Sequence, residues 1–135
     1  MEQNRPKIGV GVLIKNAQNQ FLLIKRKNIH GQGTWAPPGG HLELGETIIE
    51  CAHREALEET NVVIKDAKIL TLTEDIFSSE KHYITIWVSA SYDSGELINK
   101  EPEKCEDLGW YTMDQLPQPF FLSFANLLKN YQLKG

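Results

Sequence analysis

The chain has 135 residues, of which 41% are hydrophobic and 24% charged, with 14 Lys and Arg against 18 Asp and Glu. That is one domain's length, with no room for a second full core, and an ordinary globular composition rather than a disordered one. A formal net charge of -4 speaks against a nucleic-acid polymer as partner, because binding through counterion release needs clustered cations.

Two cysteines, Cys51 and Cys105, are too few for a disulfide framework or a cysteine zinc site, so a reducing, cytoplasmic setting is expected. No apolar run approaches the ~20 residues of a membrane span, and residues 1–7 are polar, without a signal-peptide core.

In chain order, residues 7–15 (KIGVGVLIK) and 21–25 read as two strands of a hairpin around the turn residues 16–20. Residues 29–40 hold four Gly and two Pro and read as loop, with a short strand near Trp35. Residues 47–60 give the clearest helix. Thr47 and Glu50 form a capping box at its start, and Asn61 suits a left-handed cap at its end. Strands are expected over residues 62–73, 83–92 and 108–113, a loop over 99–107, and a closing amphipathic helix over 119–131 with Pro119 in its first turn. No repeat or linker interrupts the chain, so residues 1–135 read as a single domain built on a mixed sheet.

The central helix carries Glu55, Glu58 and Glu59 at i, i+3, i+4 spacing, on one face. At roughly 100° per residue, that face continues the stripe of Ile48, Cys51 and Ala52. Carboxylates that continue an apolar stripe repel one another and raise each other's pKa. A bound divalent cation relieves that repulsion. Oxygen ligands without nearby His or Cys favour Mg²⁺, with Mn²⁺ tolerated. Cys51 and His53 have no evident catalytic partner and read as packing residues.

Residues 40–62 (GHLELGETIIECAHREALEETNV) resemble the Nudix box: Gly, five residues, Glu, seven residues, Arg-Glu, an aliphatic, any residue, Glu-Glu, any residue, Gly, an aliphatic. Gly40, Glu46, Arg54, Glu55, Glu58, Glu59 and Val62 fall on the pattern. Ala56 replaces a larger aliphatic and Asn61 replaces Gly, and neither change touches a carboxylate. Residues 25–27, 33–40, 82–85 and 101–110 extend the resemblance to small MutT-type nucleoside triphosphate diphosphatases.

The resemblance implies an α/β/α sandwich, a Mg²⁺-dependent hydrolysis of a nucleotide substrate to monophosphate and pyrophosphate, and a homodimer. It implies metal ligation by Glu55, Glu58, Glu59 and the Gly39 carbonyl, with Arg54 paired to Glu46. Glu55, Glu58 or a loop carboxylate, Glu103 best among Glu101, Glu103 and Glu106, is expected as general base. Arg26 and Lys25 are expected at the phosphates, with Gly40, His41, Thr85 and Phe124 near the nucleoside. The same fold with another nucleoside diphosphate derivative as substrate, or as a binding module without catalysis, are the competing readings.

Overall fold

The computed structural model describes residues 5–133; the reading of residues 1–7 as a polar start falls partly outside them. Strands β1 (Lys7–Lys15), β2 (Phe21–Arg26), β3 (Trp35–Ala36) and β4 (Gly39–His41) precede helix α1 (Ile48–Thr60). Strands β5 (Val63–Ser78), β6 (Lys81–Ser94) and β7 (Cys105–Tyr111) follow it, and helix α2 (Leu122–Asn130) closes the fold. The main path of the sheet runs β3-β2-β1-β6-β5, with β4 on β1 and β7 on β2. β1 and β6 are parallel, and the other pairs are antiparallel.

Period-two alternation divides the sheet into two faces. Val10, Val12 and Ile14 of β1, with Val88 and Ala90 of β6, pack against Cys51, Ala52 and Ala56 of α1. Leu13, Leu23, Trp35 and Trp87 pack on the opposite face against Phe124 and Leu127 of α2. The result is the mixed sheet between helices that the resemblance implied. Among the described residues no helix is long and apolar enough to cross a membrane.

Several boundaries differ from the sequence reading. β1 and β2 do not form a full hairpin ladder: they pair only at Lys15↔Phe21 and then diverge. The diverging half of β1 pairs instead with β4, at Gly9↔His41, Val10↔Gly40 and Gly11↔Gly39. That strand is invisible in a glycine-rich stretch. Strands β5 and β6 are longer than expected because each extends the other through twelve paired positions. α2 starts at Leu122 rather than Pro119, because residues 119–121 are held extended beside β3: Trp35 N–H donates to Pro119 O and Phe121 N–H to Trp35 O.

Candidate active site

The divergence of β1 and β2 opens a cleft of about 560 Å³. Gly9, Val10 and Gly11 of β1 line one side, and Ile24 and Arg26 of β2 the other. Glu55, Glu58 and Glu59 of α1 also line it.

α1 is fixed at both ends by its own sequence. Thr47 Oγ1 accepts from Glu50 N–H at 3.1 Å, and Glu50 Oε1 accepts from Thr47 N–H at 2.9 Å. Asn61 takes the left-handed conformation, φ 67°, and its Nδ2 donates to Glu96 O at 2.9 Å. Asn thus performs the helix stop where the family pattern has Gly.

Arg54 organises the acidic face. Its Nε and Nη2 donate to Glu46 at 2.6 and 3.0 Å, its Nη1 to Glu55 at 2.9 Å and to Glu58 at 3.2 Å, and its Nη2 to the His41 carbonyl at 3.1 Å. The guanidinium's hydrogen bonds hold the Glu46 carboxyl down to about 2, and Glu46 in turn raises Arg54. Glu59 leans on Glu55 and accepts from Gly39 N–H at 3.4 Å. Burial, then the hydrogen bond and charge of Glu55, push the Glu59 carboxyl well above its ordinary range.

Gly39 and Gly40 are required by space. A Cβ on Gly40 would collide with the Glu55 carboxylate, and one on Gly39 with the Val10 carbonyl.

Glu55 is buried, Glu59 half-buried and Glu58 exposed, so the acidic stripe turns inward at two of its three positions. Among the described residues no three acidic, His or Cys side chains already converge as a metal cage. Arg54 supplies countercharge to this face, with Nη1 donating to both Glu55 and Glu58. The donor chemistry nevertheless fits a hard cation. The set is all oxygen, and the Glu55–Glu59 repulsion is a cost that a cation removes.

Arg26, His41, Thr85, Gly39 and Gly40 all line the cleft. The Arg26 guanidinium lies 4.0 Å from the Phe121 ring centroid, and its Nε donates to His30 O at 2.7 Å. His41 stacks on Tyr83, with Nε2 and Tyr83 Oη 2.8 Å apart.

Three expected residues stand elsewhere. Lys25 pairs with Glu106 at 3.4 Å, outside the cleft lining. Phe124 is 1% exposed and packed in the core, because the face of α2 that carries it turns onto the sheet. Glu103 is absent from the lining; the loop carboxylate that reaches the cleft is Glu101, pushed up chiefly by burial. The turn that joins Lys104 and Cys105 N–H to Glu101 O rotates the loop this way. Burial first of all raises the Cys51 thiol to about 12 and Cys105 to about 11, leaving neither a ready nucleophile.

The sequence reading did not find Phe77, Tyr83, Phe121 and His30, which stand in mutual edge-to-face or tilted contact on the cleft wall. They come from separate segments, and only the fold joins them. Lys81 and Lys104 also line the cleft.

Comparison with known proteins shows the family. The chain is 33% identical over 116 residues to the NAD-capped RNA hydrolase NudC of Yersinia pestis (strain Pestoides F), covering 86% of this chain and 43% of that protein. It therefore spans less than half the length of that relative. A MutT NUDIX hydrolase from Burkholderia pseudomallei superposes with a TM-score of 0.85 at 31% identity, over 94% of this chain and 99% of the other. The MutT protein from Methanosarcina mazei Go1 gives 0.76 at 25% identity, over 93% and 92%. The NUDIX domain family matches residues 5–131, and the chain belongs to the Nudix family.

Proposed function

We propose that residues 1–135 form one Nudix domain that hydrolyses nucleoside triphosphates to the monophosphate and pyrophosphate. The observation that carries this is the joining of two unlike groups in one cleft: a carboxylate face on α1 and an Arg26 guanidinium beside an aromatic wall. Glu55, Glu58, Glu59 and the Gly39 carbonyl are the groups that would hold Mg²⁺, or Mn²⁺. When bound, the ion neutralises phosphate charge and polarises the attacked phosphorus and its water.

The chain's own residues do the rest. Arg54, fixed by Glu46, orients Glu55 and Glu58. Among the described residues the Arg26 guanidinium donates a hydrogen bond through Nε, to His30 O, and its Nη groups are offered to a phosphate oxygen. Glu101 or a helix carboxylate takes the proton of the attacking water; Glu101 replaces Glu103 in this role because it reaches the cleft. His41 and Thr85, which line the cleft, are the groups that would border the nucleoside.

A second reading keeps the chemistry and joins the nucleoside diphosphate to another group, as the NudC relative's name suggests of that protein. Incubation of the protein and Mg²⁺ with nucleoside triphosphates, NAD, ADP-ribose and nucleotide sugars, with products resolved by chromatography, separates the two. Pyrophosphate with a monophosphate supports the first. Turnover confined to the joined compounds supports the second, and turnover of none removes both.

The homodimer is proposed on the exposed Ile69, Leu72 and Ile76 of β5, at 55%, 52% and 64%; sedimentation tests it. A cytoplasmic setting suits two buried free cysteines.

A further inference from the structure

Arg26 stands at the last position of β2, where the ladder with β7 shifts register between Lys25 and Arg26. The loop that follows holds its backbone. Arg26 N–H donates to Thr34 O at 2.9 Å, and Gly33 N–H donates to Arg26 O at 2.8 Å. The side chain has two further restraints. Its guanidinium carbon lies over the Phe121 ring, 4.0 Å from the centroid, and its Nε donates to His30 O at 2.7 Å. The ring bounds one face of the planar group, and the bond fixes one edge. A rigid fork held at a face and an edge keeps its other N–H groups in set directions.

Segments far apart in the chain build these restraints. Phe121 belongs to the stretch before α2, and its N–H donates to Trp35 O at 2.9 Å. His30 lies in the loop between β2 and β3, and its ring meets Phe77 edge-on at 4.3 Å and Phe121 at 5.5 Å. Gly31 lets the two segments close. It has φ 81°, and a Cβ on it would come within 2.6 Å of the Phe121 ring and 3.1 Å of Arg26 Nε. A side chain there must displace the ring. Arg26 is half-buried, and burial lowers its pKa against the charge of Glu59. An aromatic face attracts most strongly a cation that water reaches poorly.

We propose that Phe121 is a positioning residue for Arg26: its ring, closed onto the guanidinium across Gly31, sets the arginine fork before a phosphate arrives. The proposal rests on the reading of Arg26 as a phosphate contact and adds what aims it. A side chain ordered in advance spares binding the entropy of ordering it. Loss of the ring therefore weakens phosphate binding, and does so only while the arginine is present.

The probe is inorganic tripolyphosphate with Mg²⁺, which carries no base. Calorimetric Kd values are measured on wild type, Phe121→Leu, Phe121→Tyr, Arg26→Gln and the double variant of Phe121→Leu with Arg26→Gln. Leucine keeps an apolar side chain and removes the π face. Phe121→Leu is expected to weaken binding about 10-fold, which is about 1.4 kcal/mol and within the range of a partly desolvated cation–aromatic contact. Phe121→Tyr is expected to bind like wild type. In the Arg26→Gln background, Phe121→Leu is expected to change Kd by less than about twofold, because the two residues act as one. A ring that only packs gives the same factor in both backgrounds. That result overturns the proposal, and so does wild-type affinity in Phe121→Leu.

Should Phe121→Leu not fold, the Arg26 Nε–H resonance of wild type is followed by NMR without ligand. Slow exchange and a ring-current shift are expected; exchange at the solvent rate overturns the positioning role. Weakened binding in Arg26→Gln with none in Phe121→Leu removes the positioning role alone. If wild type binds no tripolyphosphate, or Arg26→Gln binds it as wild type does, the phosphate reading of Arg26 falls and the role of Phe121 falls with it.

Discussion

Arg54 grips Glu46 with two parallel hydrogen bonds, 2.6 Å from Nε and 3.0 Å from Nη2, and still reaches Glu55 and Glu58 with Nη1. A planar fork makes all of these contacts at once; an ammonium cannot. Arg54→Lys is therefore expected to lower kcat by about 10- to 100-fold, the range for a residue that orients ligands, with a smaller change in KM. Steady-state kinetics on any hydrolysed nucleotide check this. Wild-type kcat in the variant would show that the fork is dispensable.

The same pair gives an acid dependence. Glu46 is held at about 2 against an ordinary 4.5. A depressed carboxyl stabilises the fold fully above its unfolded pKa and loses that contribution as pH falls towards the folded one. Wild type is thus expected to lose more Tm than Glu46→Gln between pH 5 and pH 2.5, as most of that window lies between the unfolded value of 4.5 and the folded one of about 2. Parallel pH profiles of Tm for the two proteins would contradict it.

Glu58 is exposed and carries no core contact, so Glu58→Gln is expected to keep its circular dichroism spectrum and Tm. Its kcat is expected to fall by about 100-fold or more, through the loss of several kcal/mol of charge stabilisation at the metal. Magnesium titration by calorimetry in the presence of a non-hydrolysable nucleotide is expected to show weaker uptake in the same variant. Unaltered kcat and magnesium uptake would take Glu58 out of the site.

The two glycines of β4 separate function from folding. A Cβ on Gly40 meets the end of the Glu55 side chain, which can swing away; one on Gly39 meets the Val10 backbone carbonyl, which cannot. Gly40→Ala is expected to fold with lowered activity. Gly39→Ala is expected to lose about 1–3 kcal/mol from overpacking, read by urea denaturation. The opposite order of stabilities would refute the contact assignment.

Asn61→Ala places an ordinary side chain at φ 67° and is expected to cost about 1–2 kcal/mol. Asn61→Gly loses only the bond to Glu96 O and is expected to lie closer to wild type. Equal Tm values for the two variants would mean that the helix stop is carried elsewhere.

What the sequence determined by itself is local. The capping box, the helix between Thr47 and Asn61, the spacing of Glu55, Glu58 and Glu59, and the Nudix pattern all depend on neighbours within a few turns. They were legible because helical periodicity maps spacing onto a face. The expected pairing of Arg54 with Glu46 came from the family pattern, and the structure has it.

What only the tertiary structure decided is which distant segments meet. Glu101 rather than Glu103 borders the cleft, Phe124 is core while Phe121 is wall, and Asp75 lies behind Thr85. Glu101 is placed by the turn that joins Lys104 and Cys105 to its carbonyl, Phe121 and Phe124 by the pairing of residues 119–121 with Trp35, and Asp75 by the register of β5 on β6. The last two are contacts between segments, and no periodicity within a single segment encodes any of the three.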